Sequence, residues 1–113
     1  MERGSLIVKK GWMVKQGGRI KTWKKRFFVL YSSGRLYYSL AEDSPKPKGI
    51  IDLSDSLTVR KATQSELPGS SIAVEIVCPK RVYVLVGDNE KQTDIWLRTI
   101  TSVASRVRIS AAH

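Results

Sequence analysis

Between residues 9 and 26 the chain carries Lys9, Lys10, Lys15, Arg19, Lys21, Lys24, Lys25 and Arg26, with no Asp or Glu among them. The chemistry open to such a run is the binding of an anion. Arginine grips a phosphate through two parallel N–H donors, and lysine supplies a mobile point charge. The first 26 residues hold nine basic side chains against one acid, Glu2, a net +8 of the chain's +10. The rest of the chain is nearly balanced, so one N-terminal unit carries the field. Residues for other chemistries are scarce. Cys78 is the only cysteine, and His113, the last residue, is the only histidine. An internal disulfide and a cysteine-based zinc site are excluded. A serine triad, a Cys–His pair or a His-ligated metal would rest on that terminal histidine. No nucleophile–base pair, metal cluster or phosphate-binding strand–loop–helix is visible, so the reading is a non-enzymatic chain without cofactor or metal. The single cysteine points to a reducing, cytoplasmic compartment.

These cations need a scaffold. A length of 113 residues with 42% hydrophobic content suits one domain, 1–113, with a modest core over about 8–105. The longest apolar stretches, Phe27 to Tyr31 and Val82 to Val86, are five residues each. A membrane-spanning helix needs roughly 20. No N-terminal run is apolar enough for a signal peptide. Short β-branched and aromatic runs broken by turns predict strands at Leu6–Lys15, Trp23–Tyr31, Arg35–Leu40, Lys48–Leu53, Leu57–Ala62, Ser71–Val77 and Arg81–Val86. No helical segment between them is long enough for a parallel crossover, so the sheet is expected to be antiparallel. The period then changes. Trp96, Ile100, Val103 and Val107 recur at helical spacing after a cap at Asp88 or Asn89. One helix of about four turns is predicted, ending near Ser105, with Trp96 closing one end of a strand barrel.

Alternation along strands sorts the cations. Arg26, Phe28 and Leu30 share a face, as do Met13 and Lys15, and Lys24 is in phase with Arg26. If the apolar members point inward, Lys15 and Arg26 sit at the barrel mouth beside the hairpin loop. Cations held on adjacent strands repel one another unless an anion lies between them. Gly17-Gly18 in that loop allows backbone N–H groups to approach a phosphate closely.

Seven antiparallel strands followed by one capping helix with a tryptophan resemble a pleckstrin homology domain. Gly11-Trp12-Met13-Val14-Lys15 resembles the family's first strand, and Lys21-Thr22-Trp23-Lys24-Lys25-Arg26-Phe27-Phe28-Val29-Leu30 its second. Leu36-Tyr37-Tyr38 resembles the third strand, Pro47-Lys48-Gly49-Ile50-Ile51-Asp52-Leu53 the fourth, and Trp96 the helix tryptophan. The resemblance implies a seven-stranded antiparallel barrel, mainly β, capped by one C-terminal α-helix. Lys15, Lys24 and Arg26 match the basic pattern of phosphoinositide-binding members, and the first half most resembles those that bind 3-phosphorylated lipids, such as the cytohesins. That implies a membrane-recruitment module for phosphatidylinositol 3,4,5-trisphosphate or 3,4-bisphosphate, cytoplasmic and drawn to the plasma membrane. Tyr38 and Lys48 match headgroup positions, and Arg19 and Lys21 lie in the loop where such members contact ring phosphates or the lipid surface. Ile20 between them would dip into the lipid. The link between strands six and seven is only Cys78-Pro79-Lys80, whereas some trisphosphate-selective members carry a long insertion there. This keeps the 3,4-bisphosphate open as a ligand. The expected state is a monomer, part of a longer chain.

Plainer readings apply elsewhere. Lys9 and Lys10 read as a solvated strand edge blunted by lysine. Lys25 faces away from Lys24 and Arg26, and Lys80 and Arg81 read as solubilising charge beside a turn. Tyr38 is equally a rim aromatic. Trp12, Trp23, Phe27 and Trp96 read as packing residues. The alternative function is a protein-interaction module whose basic face docks an acidic partner. Nucleic acid is disfavoured because the cations converge on one hairpin mouth and do not track a groove.

Overall fold

A computed structural model describes residues 2–19, 22–63 and 66–111. Seven strands form one sheet: β1 (Ile7–Gln16), β2 (Trp23–Tyr31), β3 (Arg35–Ser39), β4 (Gly49–Asp52), β5 (Thr58–Thr63), β6 (Ile72–Cys78) and β7 (Arg81–Gly87). Their order is β4-β3-β2-β1-β7-β6-β5, and every pairing is antiparallel, as the short connections require. A 3₁₀ turn at Leu53–Asp55 joins the two edge strands, β4 and β5. The helix α1 (Glu90–Ala111) packs against β5, β6, β7 and that turn, covering the side the sheet leaves open. The fold is mainly β with one C-terminal helix, as expected from the sequence.

Period-two alternation produces the core. Met13, Phe28, Leu30, Leu36, Ile51, Val74, Ile76 and Leu85 point to one side and are buried there. Trp96, Ile100, Val103 and Val107 from α1 complete this cluster, with the Trp96 ring edge-on to Phe28 at 6.5 Å. Gly11 lies beneath this ring, where a Cβ would meet it at an ordinary contact distance of 3.6 Å. A smaller outer cluster of Ala73, Val84 and Val86 is packed by Val14, Trp23, Ala62 and Leu67.

Two details differ from the sequence reading. The helix does not stop near Ser105 but continues to Ala111. Tertiary contacts hold the extra turns: Val107 is buried against Gly34, Arg106 Nη1 donates to the Ser32 carbonyl at 3.2 Å, and Arg108 Nη1 donates to the Leu57 carbonyl at 2.7 Å. Gly34 has φ 94° in the β2–β3 turn, and a Cβ there would lie 3.0 Å from a Val107 methyl, so the turn needs glycine twice over. At the other end Asn89 is the cap, its Oδ1 accepting the Gln92 N–H at 2.8 Å. Lys9 is the second difference. Lys10 is an exposed edge lysine beside Glu42, but the Lys9 Nζ sits 4.9 Å above the Trp96 ring.

Candidate functional site

Register places the basic residues at one end of the barrel. Lys15 on β1 faces Lys24 on β2, and Met13 faces Arg26 one step further in. Lys15 is only 7% exposed, a lysine on the core face of its strand. Its Nζ lies 4.9 Å from the centre of the Tyr38 ring, which offers the charge a π face. Tyr38 comes over from β3, where it pairs with Gly49, and any side chain at Gly49 would collide with its phenol ring. Glycine at the start of β4 therefore sets where Tyr38 lies. The backbone N–H of Lys48 donates to the Tyr38 carbonyl at 2.8 Å, while the rest of Lys48 is exposed.

A fourth cation enters from β7. On β1 Lys15 pairs with Leu85, and counting outward from Leu85 by twos puts Tyr83 and then Arg81 on the same inward face. The Arg81 guanidinium stacks 4.3 Å from the Tyr83 ring and reaches the Gln16 carbonyl at 3.4 Å. Its Nε is buried without a partner among the described residues. The same group lies under the hairpin loop, so that a Cβ on Gly18 would come within 3.3 Å of its Cζ. Arg81 was read from sequence as solubilising charge; the structure brings it into the mouth. The available signal was the alternation back from Leu85. What hid it was the β1–β7 pairing, a contact between residues some 70 apart in the chain.

The electrostatics of this group are unrelieved. Burial, and then the charges of Arg81, Lys24 and Arg26, hold the Lys15 ammonium below the ordinary lysine range. Burial pushes the Tyr83 phenol up, with the Arg81 charge pulling the other way. Among the described residues no carboxylate lies within 4.0 Å of Lys15, Arg19, Lys24, Arg26 or Arg81, although Arg35, Arg60 and Arg98 elsewhere all have acidic partners. Arg26 Nη1 donates to the Lys25 carbonyl at 2.8 Å. Such a cluster is poised to hold several oxyanion groups at once.

The other expected positions divide. Lys25 is turned to the outer surface, with its Nζ 5.3 Å from the Trp12 ring. Arg19 is exposed in the β1–β2 loop. Ile20 and Lys21 lie outside the described residues. Of the two loop glycines, Gly17 is buried and its N–H already donates to the Thr22 carbonyl at 2.7 Å. That amide is therefore unavailable to a phosphate, which corrects half of the expectation for the loop. Among the described residues no cluster of three or more His, Cys, Asp or Glu is placed to hold a metal, and no helix is long and apolar enough to cross a membrane.

The PH domain family model matches residues 7–105. A protein of Dictyostelium discoideum described as containing ankyrin repeats, a PH domain and a SEC7 domain is 31% identical over 109 residues, covering 85% of this chain and 11% of its own length. The human dual adapter for phosphotyrosine and 3-phosphotyrosine and 3-phosphoinositide is 32% identical over 104 residues, covering 92% of this chain and 36% of its own. The chain thus spans only a part of these relatives. Among solved structures, the C-terminal PH domain of pleckstrin in complex with D-myo-Ins(1,2,3,5,6)P5 superposes with a TM-score of 0.73 at 28% identity, covering 88% of this chain and 96% of that one.

Proposed function

Since the chain belongs to the PH domain family, we propose that it is a membrane-recruitment module binding 3-phosphorylated phosphoinositides through its first hairpin. One observation carries this reading: Lys15, nearly buried, is surrounded by the like charges of Arg81, Lys24 and Arg26, with no carboxylate at hand among the described residues. A polyphosphorylated headgroup supplies the counter-charge that this mouth lacks. Arg26 and Arg81 grip phosphate from two sides, Lys15 neutralises charge from below, and Lys24 and Arg19 close from the rim. Tyr38 supports Lys15 and offers its hydroxyl, and Lys48 and Lys21 add charge. Ile20, between Arg19 and Lys21 in the sequence, meets the lipid.

Two comparisons support the chemistry. The pleckstrin domain described above was solved with an inositol pentakisphosphate, and the human adapter is named for 3-phosphoinositide. The short β6–β7 turn lacks the insertion of some trisphosphate-selective members, and Arg81 at the start of β7 supplies a cation on that side instead. The 3,4-bisphosphate and the trisphosphate are therefore both ligands. Recruitment is to the cytoplasmic face of the plasma membrane, where each Lys or Arg near the anionic leaflet adds about 1 kcal/mol of attraction.

The test is a liposome titration with and without each 3-phosphorylated lipid. Arg26→Ala should abolish the headgroup-dependent part while leaving the circular dichroism spectrum unchanged. Arg81→Met should weaken it by roughly 10-fold or more, the value of a charge-assisted hydrogen bond. Unaltered binding by Arg26→Ala would reject the reading. Weak binding that is indifferent to the headgroup would instead favour an acidic protein partner for the same face.

A further inference from the structure

The pole of the barrel opposite the cationic mouth holds a separate constellation. Here the first residues of the chain fold back over the β2–β3 turn. The Leu6 N–H donates to Ser32 Oγ at 2.9 Å, the Ser32 N–H to the Leu6 carbonyl at 2.8 Å, and the Ser33 N–H to Ser5 Oγ at 3.0 Å. At the centre lies the Glu2 carboxylate, its side chain only 9% exposed. It accepts the Ser33 hydroxyl at 2.6 Å and the Tyr37 hydroxyl at 2.7 Å, with Arg35 Nη1 at 3.8 Å. Burial alone would push the Glu2 carboxyl up. The hydrogen bonds from Ser33 and Tyr37 and the Arg35 charge outweigh it and hold the group below its ordinary value. An open polar pocket of about 560 Å³ surrounds these groups, with Arg3 on its wall.

Two hydroxyls and a guanidinium converging on one carboxylate make a receptor for an oxyanion. The receptor and its occupant belong to different segments. The donors Ser33, Arg35 and Tyr37 come from the β2–β3 turn and β3, whereas the anion comes from a segment preceding β1. The donors are also held by contacts that do not involve Glu2. The Tyr37 ring is edge-on to Tyr31 at 5.6 Å, Arg35 Nε lies 4.0 Å from Asp52, and Gly34 closes the turn by donating to the Tyr31 carbonyl at 3.0 Å. Withdrawing Glu2 therefore leaves the receptor standing. We propose that this pocket is a second anion-binding site, occupied in the free domain by Glu2 as an internal ligand, and that an external carboxylate or phosphate takes it when Glu2 is displaced. Phosphate is the better fit of the two, having more acceptor oxygens and more charge for Arg3 and Arg35 to meet.

A tethered occupant on a short segment acts at an effective concentration on the millimolar scale, and masks the site by about 10-fold when its own dissociation constant is about tenfold below that. The experiment follows the backbone amide resonances of Ser33, Arg35 and Tyr37 during titration with inorganic phosphate, and separately with acetate, at constant ionic strength. Wild type, Glu2→Ala and Glu2→Gln are compared. Saturable shifts at these three amides are expected in Glu2→Ala, at least 10-fold tighter than in wild type, stronger for phosphate than for acetate, and lost when Arg35→Met is added. Glu2→Gln, which keeps a neutral partner for the two hydroxyls, should lie between. The amides of Lys15 and Arg26 report the other pole in the same spectra, so the two sites are scored independently. Should Glu2→Ala lose its native spectrum, the Glu2→Gln comparison decides. Absence of saturable shifts in the variants, or equal affinity in variant and wild type, would overturn the proposal.

Discussion

Lys15 is charged, 7% exposed and surrounded by cations, an arrangement that costs stability in the free protein. Replacing it with a methionine of similar reach removes the charge and keeps the packing. Lys15→Met should therefore raise the melting temperature while eliminating headgroup binding. A gain of about 1 kcal/mol would appear as roughly 4 °C or more in a domain of this size. The pH dependence has a definite sign. Lys15 binds its proton less tightly in the folded chain than in the unfolded one, so its penalty is full at neutral pH. The penalty is relieved as pH rises through the depressed folded value toward the ordinary lysine value, and stability rises across that window. The Tyr83 phenol, raised on folding, works in the opposite direction at alkaline pH. Subtracting the Lys15→Met profile from the wild-type thermal-melting profile isolates the lysine. A melting temperature lowered by Lys15→Met would show that its Tyr38 contact outweighs the repulsion.

At the scale of elements, the first hairpin and the end of the helix were legible to different degrees. The hairpin's phase could be read because Met13, Phe28 and Leu30 mark the core face within two adjacent strands, and the turn between them is local. The helix end was read too early: Val107 carries the apolar stripe past Ser105, but nothing local shows that the turns beyond it are held. The signal for continuing lies in Gly34, Ser32 and Leu57, the distant partners of Val107, Arg106 and Arg108. A chain truncated after Ser105 should lose those contacts and be destabilised by roughly 2–4 kcal/mol in urea unfolding, given one buried aliphatic and two arginine–carbonyl bonds. The cationic mouth lies away from this end, and the affinity for soluble inositol phosphates proposed for it should be unchanged at temperatures where the truncated chain stays folded. A loss of less than about 0.5 kcal/mol, the usual range for surface changes, would mean the last turns are incidental.

Across the whole molecule, charge is divided between two poles with different balance. Among the described residues the mouth gathers cations without acidic partners, whereas at the Glu2 pole Arg35 lies beside Glu2 and Asp52. An anionic surface therefore orients the domain mouth-first, and the N-terminal segment with Glu2 is held at the far side. Orientation by diffuse charge and capture by local contacts respond differently to salt. Raising salt from about 0.1 M to about 1 M shortens the screening length from roughly 10 Å to 3 Å. Binding to liposomes containing only phosphatidylserine should then vanish, while a headgroup-dependent part should persist at reduced affinity. Equal losses for both liposome types, measured by co-sedimentation, would mean that no local grip exists beyond the net charge.

From the sequence alone came a net +8 within the first 26 residues, the seven strands, the helix with its tryptophan and the inward phase of Lys15 and Arg26. These are local properties: composition, a period of two or of 3.6, and the turn residues between runs. Tertiary structure decided the rest. It brought Arg81 to the mouth through the β1–β7 pairing, tied up the Gly17 amide across the loop, laid Lys9 over Trp96 and seated Glu2 among Ser33, Arg35 and Tyr37. In each case apart from Gly17 the partners are tens of residues apart, and their approach depends on how the sheet curls and where the helix docks. The basic run pointed to an anion as ligand; the curling of the sheet determined which side chains meet at the mouth.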